Sequence, residues 1–132
     1  MSLIYDIYGL ILSTAEKGCL NHSAESRIIK AKEYIDTNFS DKTLSISALA
    51  KQSGMSEVYF RKLFGQKYNL SPVQYLISVR IKNAKHLLNY DFLNLEECAS
   101  QCGFLTVQYF CRVFKKATDM TPSEYRKQIL KK

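Results

Sequence analysis

Proline and glycine are scarce in this 132-residue chain, which contains two prolines, five glycines and no tryptophan. Because these two residues form most tight turns, their scarcity disfavours a many-turned β-sandwich and favours a few long helices. No apolar run approaches the roughly 20 residues that cross a bilayer, so we predict no membrane span, no membrane partner and no signal peptide. The expected location is therefore the cytoplasm.

Residues that could catalyse a reaction or bind a metal are also few. Neither His22 nor His86 has a carboxylate or a nucleophile at a useful spacing, and no glycine-rich phosphate loop occurs. Three of the four cysteines lie close in sequence, but without a fourth thiol or a nearby histidine they make a poor zinc site. The four are Cys19, Cys98, Cys102 and Cys111. We predict no enzyme activity, no cofactor and no metal, and we expect the thiols to be buried or half-buried.

The charge of the chain is unevenly distributed. There are 19 basic and 12 acidic residues, for a net charge of +7. Residues 1–26 hold one basic and three acidic residues, so residues 27–132 carry a net charge of +9. A basic body suits a polyanionic partner, nucleic acid first and a membrane surface second, although such charge can also serve solubility alone.

A pattern of about thirty residues occurs twice, at 46–75 and 95–125. The two copies match at an offset of 49 up to the turn, and at 50 after it, because the second copy has one extra residue in that turn. The matched pairs include Gly54 and Gly103, Phe60 and Phe110, Phe64 and Phe114, and Pro72 and Pro122. A repeat of this length indicates two copies of one supersecondary unit.

Each copy reads as helix, tight turn, helix. In the second copy, aromatic and apolar residues recur at helical spacing between residues 109 and 114, which predicts a buried face. The opposite face carries Gln108, Cys111, Arg112 and Lys115. A short polar face with a glutamine and an arginine is typical of a helix that reads DNA in a major groove.

The fold class that we predict is all-α, with two helix-turn-helix subdomains, each a homeodomain-like three-helix unit, joined by a long helix. Local signals set the boundaries: Ser45, Ser56 and Thr106 as N-caps, and Gly54 and Gly103 at the helix ends. The predicted regions are an N-terminal apolar helix and linker at 1–25, a first subdomain at 26–77, the connecting helix at 72–89 and a second subdomain at 90–132. Within the N-terminal part, the apolar helix covers 1–14, and the polar linker stretch runs from 16 to 26 at the start of the next helix. The connecting helix of about 18 residues would span about 27 Å, which is enough to set two reading helices into successive major grooves about 34 Å apart.

These residues resemble the DNA-binding domain of the AraC/XylS family of bacterial transcription regulators over about residues 26–128. The similarity is strongest in Ala99…Gly103-Phe104…Tyr109-Phe110…Arg112-Val113-Phe114-Lys115-Lys116…Thr121-Pro122…Tyr125-Arg126. It implies sequence-specific binding to double-stranded promoter DNA as a transcription regulator, with an activator expected and RNA polymerase as a further partner. It also implies that residues 1–14 end a missing sensor or dimerisation domain, and could mediate self-association.

Positions in the motif assign the DNA contacts that we expect. The base contacts are Val58, Arg61, Lys62, Val107, Gln108, Cys111 and Arg112. Arginine pairs with guanine, glutamine with adenine, and an apolar side chain with the thymine methyl group. The expected phosphate contacts are Ser56, Lys67, Lys82, Thr106, Lys115, Lys116 and Arg126. The alternative is a helical adaptor that binds another protein, for which these residues would be solvated helix faces.

Overall fold

The computed structural model describes the backbone of residues 15–131 and the side chains of residues 23–131. Between those bounds the chain forms seven α-helices and no strand. The helices are α1 Ala15–Asn38, α2 Ile46–Gln52, α3 Glu57–Tyr68, α4 Pro72–Leu87, α5 Leu95–Gln101, α6 Val107–Thr118 and α7 Pro122–Leu130. The predicted all-α class with two helix-turn-helix units and a long connecting helix is confirmed.

The prediction that the polar residues 16–26 form a linker is wrong. This stretch is continuous with α1, which begins at Ala15 and runs 24 residues. Gly18 costs a helix only about 1 kcal/mol, and the alanine, glutamate, lysine and leucine around it favour the helical state. The predicted apolar helix at 1–14 lies outside the described residues, and the domain boundaries stay a prediction.

The two turns of the repeat have the backbone that the glycines predicted. Gly54 has φ +72° and Gly103 has φ +93°, in the region that only glycine enters at no steric cost. At the ends of α3 and α6, Asn69 (φ 60°) and Asp119 (φ 65°) adopt the left-handed conformation where glycine is common. The extra residue of the second turn, Leu105, points outward and is 74% exposed.

The core divides into two clusters that share α4. The first surrounds the fully buried Phe60 and Phe64, and the second surrounds Phe104, Phe110 and Phe114. The first half of α4 packs into the first cluster and its second half into the second. We name the parts accordingly: the first unit comprises α1, α2, α3 and the start of α4, and the second unit comprises the end of α4 with α5, α6 and α7.

Candidate DNA interface

The N-termini of α3 and α6 are built in the same way. The hydroxyl oxygen of Ser56 accepts a hydrogen bond from the backbone N–H of Tyr59 at 3.1 Å, and Thr106 accepts one from Tyr109 at 3.1 Å. Both capping side chains are exposed. Each hydroxyl keeps its own O–H to donate, beside backbone N–H groups and a helix dipole that favour an anion. The geometry therefore suits phosphate at the start of both helices.

Helix α3 buries Phe60 and Phe64 and turns the predicted base contacts outward. Val58 is 79% exposed, and Arg61 and Lys62 are exposed as well. A valine this exposed at the tip of a helix gains nothing from the core, so its surface is available to a partner.

Arg61 has a partner on its own helix that the sequence analysis missed. Its Nε donates to the Glu57 carboxylate at 2.9 Å, and the Ser47 hydroxyl donates to the same carboxylate. The Ser47 hydrogen bond, followed by Arg61, lowers the pKa of Glu57 below its usual value, so the carboxylate stays charged. The four-residue spacing of Glu57 and Arg61 was the available signal. In this structure the Arg61 guanidinium is thus held along α3.

Helix α6 presents the second set of predicted base contacts. Gln108 and Arg112 are exposed, whereas Val107 and Cys111 are half-buried at the edge of that face. The Arg112 guanidinium lies over the Tyr109 ring, 5.4 Å from its centre. This cation–π contact does not use the hydrogen-bond donors of the guanidinium. Those donors can still pair with a base edge.

The predicted phosphate contacts fall into two groups. Lys82, Lys115 and Lys116 are exposed, and within residues 23–131 none of them forms an ion pair. Lys67, in contrast, pairs with Glu25 of α1 at 2.6 Å and lies over the Tyr68 ring at 5.7 Å from its centre. An ion pair of this exposure is weak enough to exchange for a phosphate.

Arg126, one of the expected phosphate contacts, also makes contacts inside the protein. Its Nε donates to the Leu88 carbonyl at 3.2 Å and its Nη2 donates to the Tyr90 carbonyl at 3.0 Å, with the Cys98 sulfur at 3.6 Å. The half-buried guanidinium thus holds the turn before α5 onto α7 through its Nε and Nη2 donors. We propose on this basis that Arg126 is a structural residue rather than a phosphate contact.

Arg80 is a second internal arginine, to which the sequence analysis assigned no role. It is 8% exposed, and it donates to the carbonyls of Phe39 at 2.8 Å and Asp41 at 3.1 Å. Burial lowers the pKa of its guanidinium, and the nearby Tyr109 and Asp41 side chains oppose that shift. A signal was present, because Arg80 falls four residues from both Leu76 and Ala84 on the buried stripe of α4.

Among the described side chains, Cys98 and Cys102 are buried and Cys111 is half-buried, as predicted; the Cys19 side chain lies outside the described residues. Cys98 and Cys102 are inaccessible, and burial raises the pKa of the Cys102 thiol to about 12. Across the described side chains, no cluster of three or more His, Cys, Asp or Glu residues could hold a metal ion. None of the helices between residues 15 and 131 has the length and apolarity that crossing a bilayer requires.

Comparisons with known proteins agree with this geometry. A family described as a helix-turn-helix domain matches residues 49–128. The HTH-type transcriptional activator RhaR of Salmonella schwarzengrund is 36% identical over 89 residues, which are 67% of this chain and 32% of that protein. The solved C-terminal domain of AraT, a response regulator from Geobacillus stearothermophilus, is 30% identical with a TM-score of 0.74, over 77% of this chain and 84% of that one.

A third match concerns the fold alone. The DNA-binding domain of AdpA, a global transcriptional factor solved in complex with a target DNA, has a TM-score of 0.72 at 23% identity, over 76% of this chain and 90% of that one. The chain spans less than half the length of the curated relatives that it matches.

The two matched units and their exposed second helices define a double helix-turn-helix domain. The chain belongs to the AraC family of DNA-binding transcription regulators.

Proposed function

We propose that this chain binds double-stranded promoter DNA with sequence specificity by placing α3 and α6 in two successive major grooves on one side of the duplex. The observation that carries the proposal is the duplication: α3 and α6 have the same caps, the same buried aromatic face and an exposed basic face. Both pack against α4, whose 16 residues span about 24 Å. Added to the width of the packed helices, this length suits a separation of about one turn of DNA.

The two reading helices offer different side chains at matched positions, so the two half-sites should differ in sequence. The proposed base contacts pair, at an offset of 50, as Val58 with Gln108, Arg61 with Cys111 and Lys62 with Arg112, with Val107 beside them. The first set suits thymine methyl and guanine, and the second suits adenine and guanine. Such a site has no two-fold symmetry, so one bound chain has a defined direction along the promoter.

The proposed phosphate contacts are Ser56, Lys67, Lys82, Thr106, Lys115 and Lys116. They fix the position of the protein on the duplex without reading sequence. Together with the net charge of +9 over residues 27–132, they predict a binding constant that falls steeply with salt.

We further propose that the protein activates transcription, which rests on the name of its relative RhaR and on the directional site. RNA polymerase would be the partner at the promoter, and the protein would act on the chromosome in the cytoplasm. Self-association through residues 1–14 stays a prediction.

The test is fluorescence anisotropy with a duplex of about 20 bp selected from a random pool, titrated against single-base variants at several salt concentrations. Arg112→Ala should lower affinity by about 1–3 kcal/mol and relax the preference at one base pair. Lys115→Ala, the matched control, should weaken binding to all duplexes alike and reduce the salt slope by about 1.

Equal losses for both variants on every duplex would contradict this division of roles. Binding to proteins but to no duplex at low salt would instead support the helical adaptor.

A further inference from the structure

The two units touch each other at a small contact that we call the junction, formed by Phe39, Asp41, Arg80, Gly103 and Phe104. On one side, Arg80 donates to the Phe39 and Asp41 carbonyls in the turn between α1 and α2. On the other side, its guanidinium lies 5.9 Å from the centre of the Phe104 ring, at the start of the second turn of the repeat. One buried side chain of α4 therefore contacts both units.

Arg126 shows what is particular about Arg80. Its Nε and Nη2 bond to the Leu88 and Tyr90 carbonyls, which are the repeat equivalents of those that Arg80 contacts, 49 positions later. Arg126, however, makes its contacts within the second unit alone. Its own equivalent in the first unit is Leu76, four residues before Arg80.

The arginine of the first unit thus lies about 6 Å farther along its helix, towards the second unit. The arginine–carbonyl contact that Arg126 makes inside the second unit is therefore made by Arg80 at the place where the two units meet. At the matched place in the second unit stands Leu130, which is 47% exposed.

Gly103 lies on the second unit's side of the junction, against the Phe39 carbonyl and the Arg80 side chain. A Cβ placed on it would overlap the Phe39 carbonyl oxygen and lie 2.9 Å from the Arg80 Nε. Its repeat partner Gly54 also has a positive φ, but a Cβ there would meet only the end of the flexible Arg27 side chain, at 3.2 Å. Gly103 is therefore required by the close approach of the two units as well as by its backbone conformation.

We infer that the junction fixes the orientation of α6 relative to α3 in the free protein, and that Arg80 and Gly103 are positioning residues for recognition of two half-sites. A buried guanidinium that loses its carbonyl partners has no water to replace them, so the contact resists opening. The consequence for DNA rests on the proposed function: the protein should tolerate one spacing between half-sites and reject its neighbours.

The orientation can be measured without DNA, from backbone N–H residual dipolar couplings of the whole chain in a weakly aligning medium. The couplings of the two units should fit one common alignment tensor in the wild type. The variants Gly103→Ala and Arg80→Lys should need two tensors of different magnitude. Their matched controls, Gly54→Ala and Arg126→Lys, carry the same local strain or the same lost bond inside one unit and should keep a single tensor.

The inference would be overturned if the wild type already needed two tensors, or if Gly103→Ala and Arg80→Lys both kept one. Because the wild-type couplings decide the first point alone, the test stands even where a variant folds poorly.

The second arm uses the duplex selected for the wild type, with one base pair inserted or deleted between the half-sites. One base pair rotates a half-site by about 35°. Wild-type affinity should fall about tenfold, whereas the affinity of Gly103→Ala should change less than about threefold from its own best spacing. Equal spacing profiles would contradict the role of the junction. If no duplex is bound with specificity, the proposed function fails, while the couplings still decide the junction.

Discussion

The assignment of Arg126 to structure rather than to DNA can be tested by Arg126→Met, which removes the guanidinium and keeps an unbranched stem. The variant leaves the Leu88 and Tyr90 carbonyls without their charged donor. Hydrogen bonds to charged groups contribute about 1.5–3 kcal/mol each, and water that reaches this half-buried site will replace part of that. We expect the free energy of unfolding to fall by about 2–3 kcal/mol.

A loss of that size should lower the midpoint of thermal unfolding, followed by circular dichroism, by about 10–15 °C. Well below that midpoint the variant should bind the selected duplex with the wild-type salt slope, because no phosphate contact has been removed. Lys115→Ala is the opposite control: its midpoint should hardly change, since exposed substitutions stay within about 0.5 kcal/mol, while its salt slope should fall by about 1.

An Arg126→Met protein with an unchanged midpoint and a salt slope reduced by about 1 would refute this reasoning. It would mean that Arg126 leaves its carbonyl partners in the complex and contacts phosphate after all.

Three further predictions follow from named contacts. Glu57→Ala should free Arg61 from its ion pair and remove a negative charge from α3. Anisotropy should then show tighter binding to the selected duplex and a changed preference at the base pair that we propose Arg61 contacts. Phe110→Ala should destabilise the second unit by about 3–5 kcal/mol in chemical denaturation, because the ring is fully buried. The capping box lowers the pKa of Glu124 below its ordinary value of 4.5, chiefly through the hydrogen bond from the Thr121 backbone N–H. The stabilisation from the charged carboxylate is therefore complete above pH 4.5 and is lost as the pH falls through the lowered pKa. In Glu124→Gln the midpoint of thermal unfolding should depend less on pH over this range.

The parts of the fold that could be predicted from the sequence were those that short-range rules decide. Gly54 and Gly103 predicted their own positive φ, and Ser56 and Thr106 their caps, because each depends on the residue type and its immediate neighbours. The aromatic periodicity predicted both cores for the same reason. The stretch 16–26 was misjudged because one glycine among good helix formers does not end a helix.

The roles of the two internal arginines could not be predicted in that way. Arg80 and Arg126 each contact carbonyls about 40 residues earlier in the chain. A separation of this length produces no periodic pattern in the sequence, so neither pairing could be predicted from residue spacing. From sequence alone, an arginine on a short terminal helix is as compatible with a phosphate contact as with a structural role. The structure distinguishes them by locating the partner carbonyls. The buried stripe through Leu76 and Ala84 was the one local hint for Arg80.

The central claim, that one chain reads two different half-sites with α3 and α6, is tested most directly by repeating the random-pool selection with variants at the matched positions Lys62 and Arg112. We predict a wild-type site with two unlike motifs about one helical turn apart. Lys62→Ala should erase information from one motif only, and Arg112→Ala from the other only. A single motif, or loss from the same motif in both variants, would contradict the account.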